Sequence, residues 1–352
     1  TIGRVSGDNT SGAYERAHER ARLDPTGFWG EAAERLAWTH IPTRILEDAN
    51  TPLYRWFSDG ELNTCFNAVD RHVEEGRGAH PAIHFDSALT GARETLSYSQ
   101  LQDEVARCAG LLAKYGVCKG DRVIIYLPMI PQSVIAMLAC ARLGAVHSVV
   151  FGGFAAAELA ARIDDARPTV IMTASCGLEP TRVVPYKPLV DEAIELSTFP
   201  TARTLVWQRE ELLAELGPRD IDWRAEIGDA EPHACVPVAA TDPLYILYTS
   251  GTTGKPKGIV RDNGGHAVAM AWSFANVFGM GPDDVFWAAS DVGWVVGHSY
   301  IVYAPLISGA TTVLYEGKPI GTPDAAAVWR VIDLYGVNAL FCAPTALRAI
   351  KR

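Results

Sequence analysis

The sequence predicts an α/β fold: two stacked α/β subdomains with mostly parallel sheets, preceded by a helical N-terminal segment. Three observations carry that expectation. From about residue 80 onward, short apolar runs alternate with segments of helical spacing, the rhythm of strands joined by crossover helices. Helix boundaries are marked by residues with a physical reason to stand there, among them Ser97 with Gln100, Pro131 and Gly144. A glycine- and hydroxyl-rich bend, Tyr248 to Gly258, joins two apolar runs and so reads as a loop between two strands.

Taken in order, residues 1 to about 75 are rich in Trp, Arg and acidic side chains, with helices expected over 13–23 and 30–38 and no strand alternation. Phe28, Trp29, Trp38, Trp56 and Phe57 need a surface to cover them, so this segment is expected to wrap a later domain. A strand at 83–85 follows. Ser97 and Gln100 form a capping box, after which Leu101, Val105, Leu112 and Tyr115 recur at helical spacing until Gly116. Next come a buried strand at 122–127, a helix opened by Pro131 and closed by Gly144, a strand at 145–151, a helix over 155–166 and a strand at 169–173. Residues 174–240 are less regular and proline-rich, with a charged helix expected near 208–216. The rhythm then resumes: helix 266–278 to strand 285–289, helix 298–307 to strand 311–315, helix 325–335 to strand 339–342. Pro344 and Thr345 open a last helix.

This pattern divides the chain into an N-terminal segment (1–78), a first α/β subdomain (79–240) and a second (241–352) carrying the bend. At 352 residues there is room for two or three cores. The net charge of −10, from 31 basic and 41 acidic residues, argues against a nucleic-acid or anionic-membrane surface but leaves room for a local anion site. No apolar run reaches membrane-spanning length. The seven cysteines, odd in number, show neither Cys-x-x-Cys spacing nor a histidine partner at metal-ligand spacing, so no metal site is expected. Cys108 and Cys140 fall on apolar faces as small core residues, and a reducing compartment follows: cytoplasm, or mitochondrial matrix if a transit peptide was removed. The chain begins at Thr1 and stops at Arg352 a few residues into a helix, so a longer protein with a missing C-terminal portion is expected. Oligomeric state is left open.

The bend holds Thr249, Ser250, Thr252 and Thr253 as hydroxyl donors, Gly251 and Gly254 for close backbone approach, and Lys255 and Lys257 as point charges. Successive N–H groups in such a bend can form an anion nest. The chemistry indicated is a polyphosphate cradle; a flexible surface loop is the blander possibility. It is not a Walker A loop, because Pro256 follows Lys255. A second run, Asp291-Val292-Gly293-Trp294-Val295-Val296-Gly297-His298-Ser299-Tyr300, lies at the carboxyl end of a predicted strand, where open α/β sheets place ligands. Trp294, Val295 and Val296 are placed to wall a small apolar cavity, with Gly297 allowing a tight turn. His298 taken alone weighs evenly between a capping histidine and a site residue. A third run, Glu179-Pro180-Thr181-Arg182 and on to Lys187, offers Arg182 and Lys187 as anion contacts, or simply a solvated basic pair. Gly-x-Ser-x-Gly, His-Glu-x-x-His and a post-strand Gly-x-Gly-x-x-Gly are absent from the sequence, leaving hydrolase, zinc-enzyme and dinucleotide functions without local support.

With these residues in hand, the chain resembles the acetyl-/propionyl-CoA synthetase branch of the acyl-adenylate-forming superfamily over essentially its whole length. The resemblance rests on Asp24-Pro25 with Phe28-Trp29, Gly60-Glu61-Leu62-Asn63 with Asn67 and Asp70-Arg71-His72, and Val150-Phe151-Gly152-Gly153-Phe154. It continues through the bend, Trp294–Tyr300, Tyr315-Glu316-Gly317 and Ala343-Pro344-Thr345-Ala346. The bend alone specifies the superfamily; the run around Trp294 and the N-terminal segment specify the branch. Such enzymes join a carboxylate to ATP, giving an acyl-adenylate and pyrophosphate, then pass the acyl group to coenzyme A; ATP, Mg2+ and coenzyme A are therefore implied.

The resemblance implies that Thr249, Ser250, Gly251, Thr252, Thr253, Gly254 and Lys255 hold the ATP phosphates, with Lys257 close by. It places Trp294, Val295, Val296, Gly297 and His298 around the acyl pocket, and Glu179, Pro180, Thr181 and Arg182 at the coenzyme A nucleotide, with Val296 near its thiol arm. Acetate-preferring members usually have Thr where this chain has Val296. The Val295-Val296 pair, with Arg261-Asp262-Asn263-Gly264-Gly265, looks more like the propionate-preferring sub-branch, so propionate is expected ahead of acetate. The family's catalytic Lys and acidic metal-binding residue belong to elements expected after Arg352, so the chain as given is expected to be inactive alone. Alternatives are another acyl-adenylate-forming CoA ligase, or a non-catalytic nucleotide-binding fragment.

Overall fold

Side chains cap the starts of helices at Asp24, Ser97 and Asp262. The computed structural model describes residues 12–201, 203–249, 256–318 and 321–350. Helix α1 spans Ala13–Leu23 and α2 spans Pro25–Ala33. The second starts earlier than the 30–38 expected, because Asp24 accepts a hydrogen bond from Gly27 N at 2.8 Å and Pro25 takes the first position, where a missing N–H costs nothing. Its apolar face holds Phe28, Ala32 and Ala33. Phe28 and Trp29 pack on Trp272 with ring centroids 5.5 and 5.7 Å apart, so the N-terminal segment does cover a later helix. Short antiparallel strands also occur here, Leu46–Glu47 on Arg55–Trp56 and Glu61–Leu62 on Val238–Ala239; two residues each are too few to show alternation.

The α/β body runs β1 (Pro81–Ser87), β2 (Arg93–Ser97), α3 (Tyr98–Lys114), β3 (Arg122–Tyr126), α4 (Pro131–Leu143), β4 (Val146–Val149), α5 (Ala156–Ala166) and β5 (Val170–Ala174). The capping box is present, Ser97 Oγ accepting from Gln100 N and Gln100 Oε1 from Ser97 N. Gly144 ends α4 at φ 69°, the left-handed position that favours glycine. A hairpin of β6 (Cys176–Glu179) and β7 (Arg182–Pro185) leads to α6 (Tyr186–Leu196), β8 (Arg203–Trp207) and β9 (Asp220–Asp222). There follow β10 (Pro243–Thr249), β11 (Lys257–Asp262), α7 (Asn263–Asn276), β12 (Val285–Ala288), a helical segment over 295–307, β13 (Thr311–Glu316), α8 (Ala327–Tyr335), β14 (Ala339–Phe341) and α9 (Pro344–Ile350).

The charged helix expected near 208–216 is not formed. Gln208 instead clasps Ala214 through both its amide atoms, at 2.9 and 3.0 Å, while Arg209 is drawn inward to Glu316. Local side-chain hydrogen bonds of this kind compete with helical ones.

Two sheets organise the molecule. The larger has strand order β9-β8-β5-β3-β4-β10-β11, parallel except for the β10–β11 hairpin; the smaller has order β14-β12-β13-β1-β2, parallel except for β1–β2. The sheets therefore cut across the expected division at residue 240: β1 and β2 join the later strands, and β10 and β11 join the earlier ones. The largest apolar cluster links them, with Leu101, Val105 and Leu112 of α3, Val134 and Leu138 of α4 and Phe274 of α7 all fully buried. Cys108 and Cys140 lie in it, as expected. Among the described residues no helix is long and apolar enough to cross a membrane.

Candidate functional site

The larger sheet reverses its order beside β3, with β4 on one flank and β5 on the other, and such a reversal opens a crevice at the carboxyl ends of the strands. Loops leaving β3 and β4 meet the loop leaving β12 there. Val292 N approaches Met129 Sδ at 3.3 Å. Gly293 packs so tightly on the loop after β4 that a Cβ would sit 3.0 Å from Phe151 Cα. Trp294 lies against the rings of Phe151 and Phe154, at centroid distances of 5.6 and 6.4 Å.

Trp294 and Val295 are presented outward, 47% and 45% exposed, on an otherwise rigid turn. Asp291 Oδ1 accepts from Gly293 N at 2.7 Å. Its carboxyl keeps some surface but is packed closely enough for burial to push its pKa up to about 6. Gly297 is obligatory for packing: a Cβ there would lie 1.9 Å from Asp291 O and 2.7 Å from Val292 Cα. Val296 is half-buried against the core. His298, expected beside the acyl pocket, is wholly buried instead, its ring 4.7 Å from Tyr245 and 5.5 Å from His147, with Nδ1 3.1 Å from Trp294 O. Burial lowers its pKa to about 4, so it is a neutral packing group behind the turn rather than an exposed wall. The run alternates because its backbone turns into a helix, sending 294 and 295 to solvent and 297 and 298 to the core.

The expected phosphate-binding bend begins at the carboxyl end of β10. Thr249 faces Lys257 across the β10–β11 hairpin, and Thr249 Oγ1 reaches Lys257 O at 3.5 Å. Ser250, Gly251, Thr252, Thr253, Gly254 and Lys255 lie outside the described residues. Lys257 is exposed and makes no ion pair with a described carboxylate. Tyr248 donates to Asp165 Oδ2 at 2.6 Å, and burial, then that carboxylate, push the phenol's pKa up. Arg162 spans the gap from here to the second run: its guanidinium lies 5.6 Å from the Tyr248 ring centroid and 4.7 Å from that of Phe154. Phe154 in turn touches Trp294. One layer of side chains thus joins the root of the bend to the exposed tryptophan.

Phe151, Phe154, Arg162 and Asp165 are not among the site residues expected from the sequence. Val150-Phe151-Gly152-Gly153-Phe154 stands just after a strand, and that position was the available signal. Arg162 and Asp165 sit within an amphipathic helix whose spacing reports only its buried face.

Glu179 and Arg182 close the β6–β7 hairpin and pair with each other in bidentate fashion, Arg182 Nε and Nη2 donating to the Glu179 carboxylate at 2.9 and 3.1 Å. Pro180 and Thr181 form its exposed tip. Lys187 is not an anion contact: it is buried, held by Asp191 at 2.6 Å and Asp220 at 2.9 Å, and two carboxylates leave it no free charge. Glu316 is likewise occupied, by Arg209 at 2.6 Å and Ser87 at 2.7 Å.

Magnesium does not fit any side-chain cluster described. The group of metal-capable side chains among the described residues is Cys65, Asp70 and Cys235, whose two sulfurs are unlike the oxygen ligands that Mg2+ takes. A cavity of 450 Å3 between the N-terminal segment and the hairpin, bordered by Trp29, Trp56, Arg261 and His266, is lined by none of the expected site residues.

Comparison with known proteins places these features among relatives. Residues 69–352 match the AMP-binding enzyme family and residues 14–68 the acetyl-coenzyme A synthetase N-terminus. An uncharacterized protein of Pseudomonas aeruginosa is 59% identical over 340 residues, covering 96% of this chain and 54% of that protein. Human acyl-CoA synthetase short-chain family member 3, mitochondrial, is 52% identical over 345 residues, 97% of this chain and 50% of that one. Acetyl-coenzyme A synthetase of Streptomyces coelicolor is 48% identical over 338 residues, with 96% and 52% covered. The chain spans about half the length of the curated relatives it matches.

Proposed function

The chain belongs to the AMP-binding enzyme family, with the acetyl-coenzyme A synthetase N-terminus ahead of it, and from that premise we propose that the protein at its natural length is an ATP-dependent short-chain carboxylate–CoA ligase. The carboxylate oxygen attacks the α-phosphorus of ATP, pyrophosphate leaves, and an acyl-adenylate forms. The coenzyme A thiol then attacks the acyl carbon and AMP leaves. Propionate is the preferred acid, acetate the second.

One observation supports this reading above the others: the contact chain Tyr248–Arg162–Phe154–Trp294. It links the end of β10, from which the bend leaves, to the exposed Trp294 through one continuous layer of side chains, the proximity that a reaction between a triphosphate and a small acid needs. The roles follow from the chemistry available. Thr249 and Lys257, with residues 250–255, take the phosphates. Trp294 and Val295 exclude water from the alkyl group. Val296, behind them, borders the thiol arm of coenzyme A. The Glu179–Arg182 hairpin receives the nucleotide of coenzyme A, with Arg182 exchanging its intramolecular carboxylate for a phosphate. Catalysis consists largely of alignment and of stabilising charge on the α-phosphate. A reducing compartment, cytosol or mitochondrial matrix, suits the cysteine content.

The test is carboxylate-dependent exchange of labelled pyrophosphate into ATP by the full-length protein, run with acetate, propionate and butyrate. Exchange strongest with propionate supports the proposal. Exchange strongest with acetate or butyrate refutes the propionate preference, and no exchange with any acid refutes the adenylate route.

A further inference from the structure

The short antiparallel pairing of Glu61–Leu62 with Val238–Ala239 sets Leu62 opposite Val238 and Glu61 opposite Ala239. Just beyond it the chain turns into a helix at Thr64, and Cys65 in its first turn comes beside Cys235 of the strap that leads into Val238. The segment is fastened there: Asn63 Nδ2 donates to Val236 O at 2.8 Å and to Ala141 O at 3.0 Å, and Val236 N donates to Arg142 O at 2.8 Å. The Sγ atoms of Cys65 and Cys235 and a carboxylate oxygen of Asp70 all lie within 4.8 Å of one another. Cys235 Sγ is 3.5 Å and Cys65 Sγ 3.9 Å from Asp70 Oδ2, which Arg142 Nη1 holds at 2.7 Å. The same guanidinium nitrogen is 3.7 Å from Cys65 Sγ.

We propose that Cys65 and Cys235 are a redox-active thiol pair that closes to an intramolecular disulfide when the protein meets a peroxide. Proximity, a cation and a proton acceptor are what such a pair requires, and all three are present. Arg142 offers positive charge to the Cys65 sulfur, and Asp70 accepts from both thiols. Cys65 is fully buried and Cys235 half-buried, so a small oxidant enters along Cys235. The Cys235 thiol is pushed upward in pKa, its hydrogen bond with Cys65 being the largest cause, and Cys65, the sulfur that Arg142 Nη1 approaches at 3.7 Å, acts first.

The steps balance without a further reagent. The Cys65 sulfur attacks one peroxide oxygen; an S–O bond forms, the O–O bond breaks, and water leaves with the thiol proton. The Cys235 sulfur then attacks the sulfenic sulfur; the S–S bond forms, the S–O bond breaks, and a second water leaves. Peroxide gains two electrons and the two thiols lose them. A zinc site is the competing assignment for two thiols and a carboxylate. Arg142 opposes it, because its buried positive charge already occupies the carboxylate oxygen a metal would take. The strap carrying Cys235 continues directly into β10, so the crosslink would pin the N-terminal segment to the strand that enters the phosphate bend.

The experiment uses the reduced full-length protein, exposed to equimolar hydrogen peroxide, quenched with an alkylating agent and digested with trypsin without reductant. Cys65 is the lone cysteine of peptide 56–71 and Cys235 that of peptide 225–257, since Lys255-Pro256 resists cleavage. Expected is a linked species of these two peptides, lighter by two hydrogen atoms than their sum, abolished by dithiothreitol and formed about tenfold faster than oxidation of the exposed Cys118. In Cys235→Ala, Cys65 should instead accumulate as a sulfenic acid trapped by a 1,3-diketone reagent, with the circular dichroism spectrum unchanged. Two freely alkylated thiols at a dose that oxidises Cys118 would overturn the proposal. So would stoichiometric zinc in the metal-analysed protein that shields both thiols from alkylation.

Discussion

Truncating Val295 to alanine separates a pocket wall from a structural residue. Val295 keeps 45% of its surface exposed, so removing its two methyl groups forfeits only part of the roughly 1.5–3 kcal/mol that full burial of a valine contributes. The stability change should stay under about 1 kcal/mol, and the urea midpoint should barely move. The effect on acid selection should be larger. Each methylene in a closed apolar pocket is worth ~1–3 kcal/mol of discrimination, and the vacated space holds about one. In Val295→Ala the ratio of kcat/KM for butyrate over propionate should therefore rise about tenfold, the equivalent of ~1.4 kcal/mol. The KM for ATP should stay unchanged, because the proposed site puts Val295 against the acid and not the phosphates. Steady-state kinetics on the full-length protein with acetate, propionate and butyrate measures all of this. A ratio that moves by less than about twofold, with stability and ATP binding intact, would refute the assignment of Val295 to the pocket.

Three other outcomes are expected. Gly297→Ala would force its Cβ to within 1.9 Å of Asp291 O, and overpacking against backbone costs ~1–3 kcal/mol; urea unfolding should show that loss, and activity should fall with it because the turn carrying Trp294 must shift. Asp291 has a folded-state pKa raised by burial from 3.8 to about 6; the folded protein therefore holds this proton more tightly, and the stability from this residue declines as pH rises from about 4 to about 6. Asp291→Asn should flatten that decline relative to the parent in chemical denaturation across pH, and an unchanged slope would contradict it. Arg209→Met leaves Glu316 as an unpaired buried carboxylate where Arg209 had held it at 2.6 and 3.2 Å, and a loss of ~3–5 kcal/mol is expected; adding Glu316→Gln should recover part of it, and two strictly additive losses would count against the pairing.

Local signals located helix starts well and sheet membership poorly, for a physical reason. The Ser97–Gln100 box, Pro131 and Gly144 act within a turn of their own position, so those boundaries are written in adjacent residues, whereas the cap at Asp24 went unread and α2 starts five residues earlier than expected. Which sheet a strand joins is decided by partners far along the chain. Leu314 pairs with Phe85 and Tyr245 with His147, and nothing near residue 85 or 245 announces that exchange across residue 240. The absent helix at 208–216 failed for the same reason. Its charged residues have helical spacing, but Arg209 finds its carboxylate on β13.

At the site, residue type was informative and orientation was not. The run 291–300 was visible through its composition, yet only folding divides it into an exposed Trp294 and Val295 and a buried His298. Arg162 was missed because a cation lying over the rings of Phe154 and Tyr248 is a tertiary arrangement. The proximity of Cys65 to Cys235 is a tertiary arrangement beside a two-residue ladder, which periodicity cannot reveal.

The most direct measurement is a crystal structure of the full-length protein with a non-hydrolysable propyl ester of AMP, a mimic of the acyl-adenylate. Its phosphate should lie within hydrogen-bonding distance of residues 249–255, and its propyl group against Trp294 and Val295. A nucleotide seated elsewhere, such as the cavity bordered by Trp29, Trp56 and Arg261, would contradict the assignment of both runs to one site.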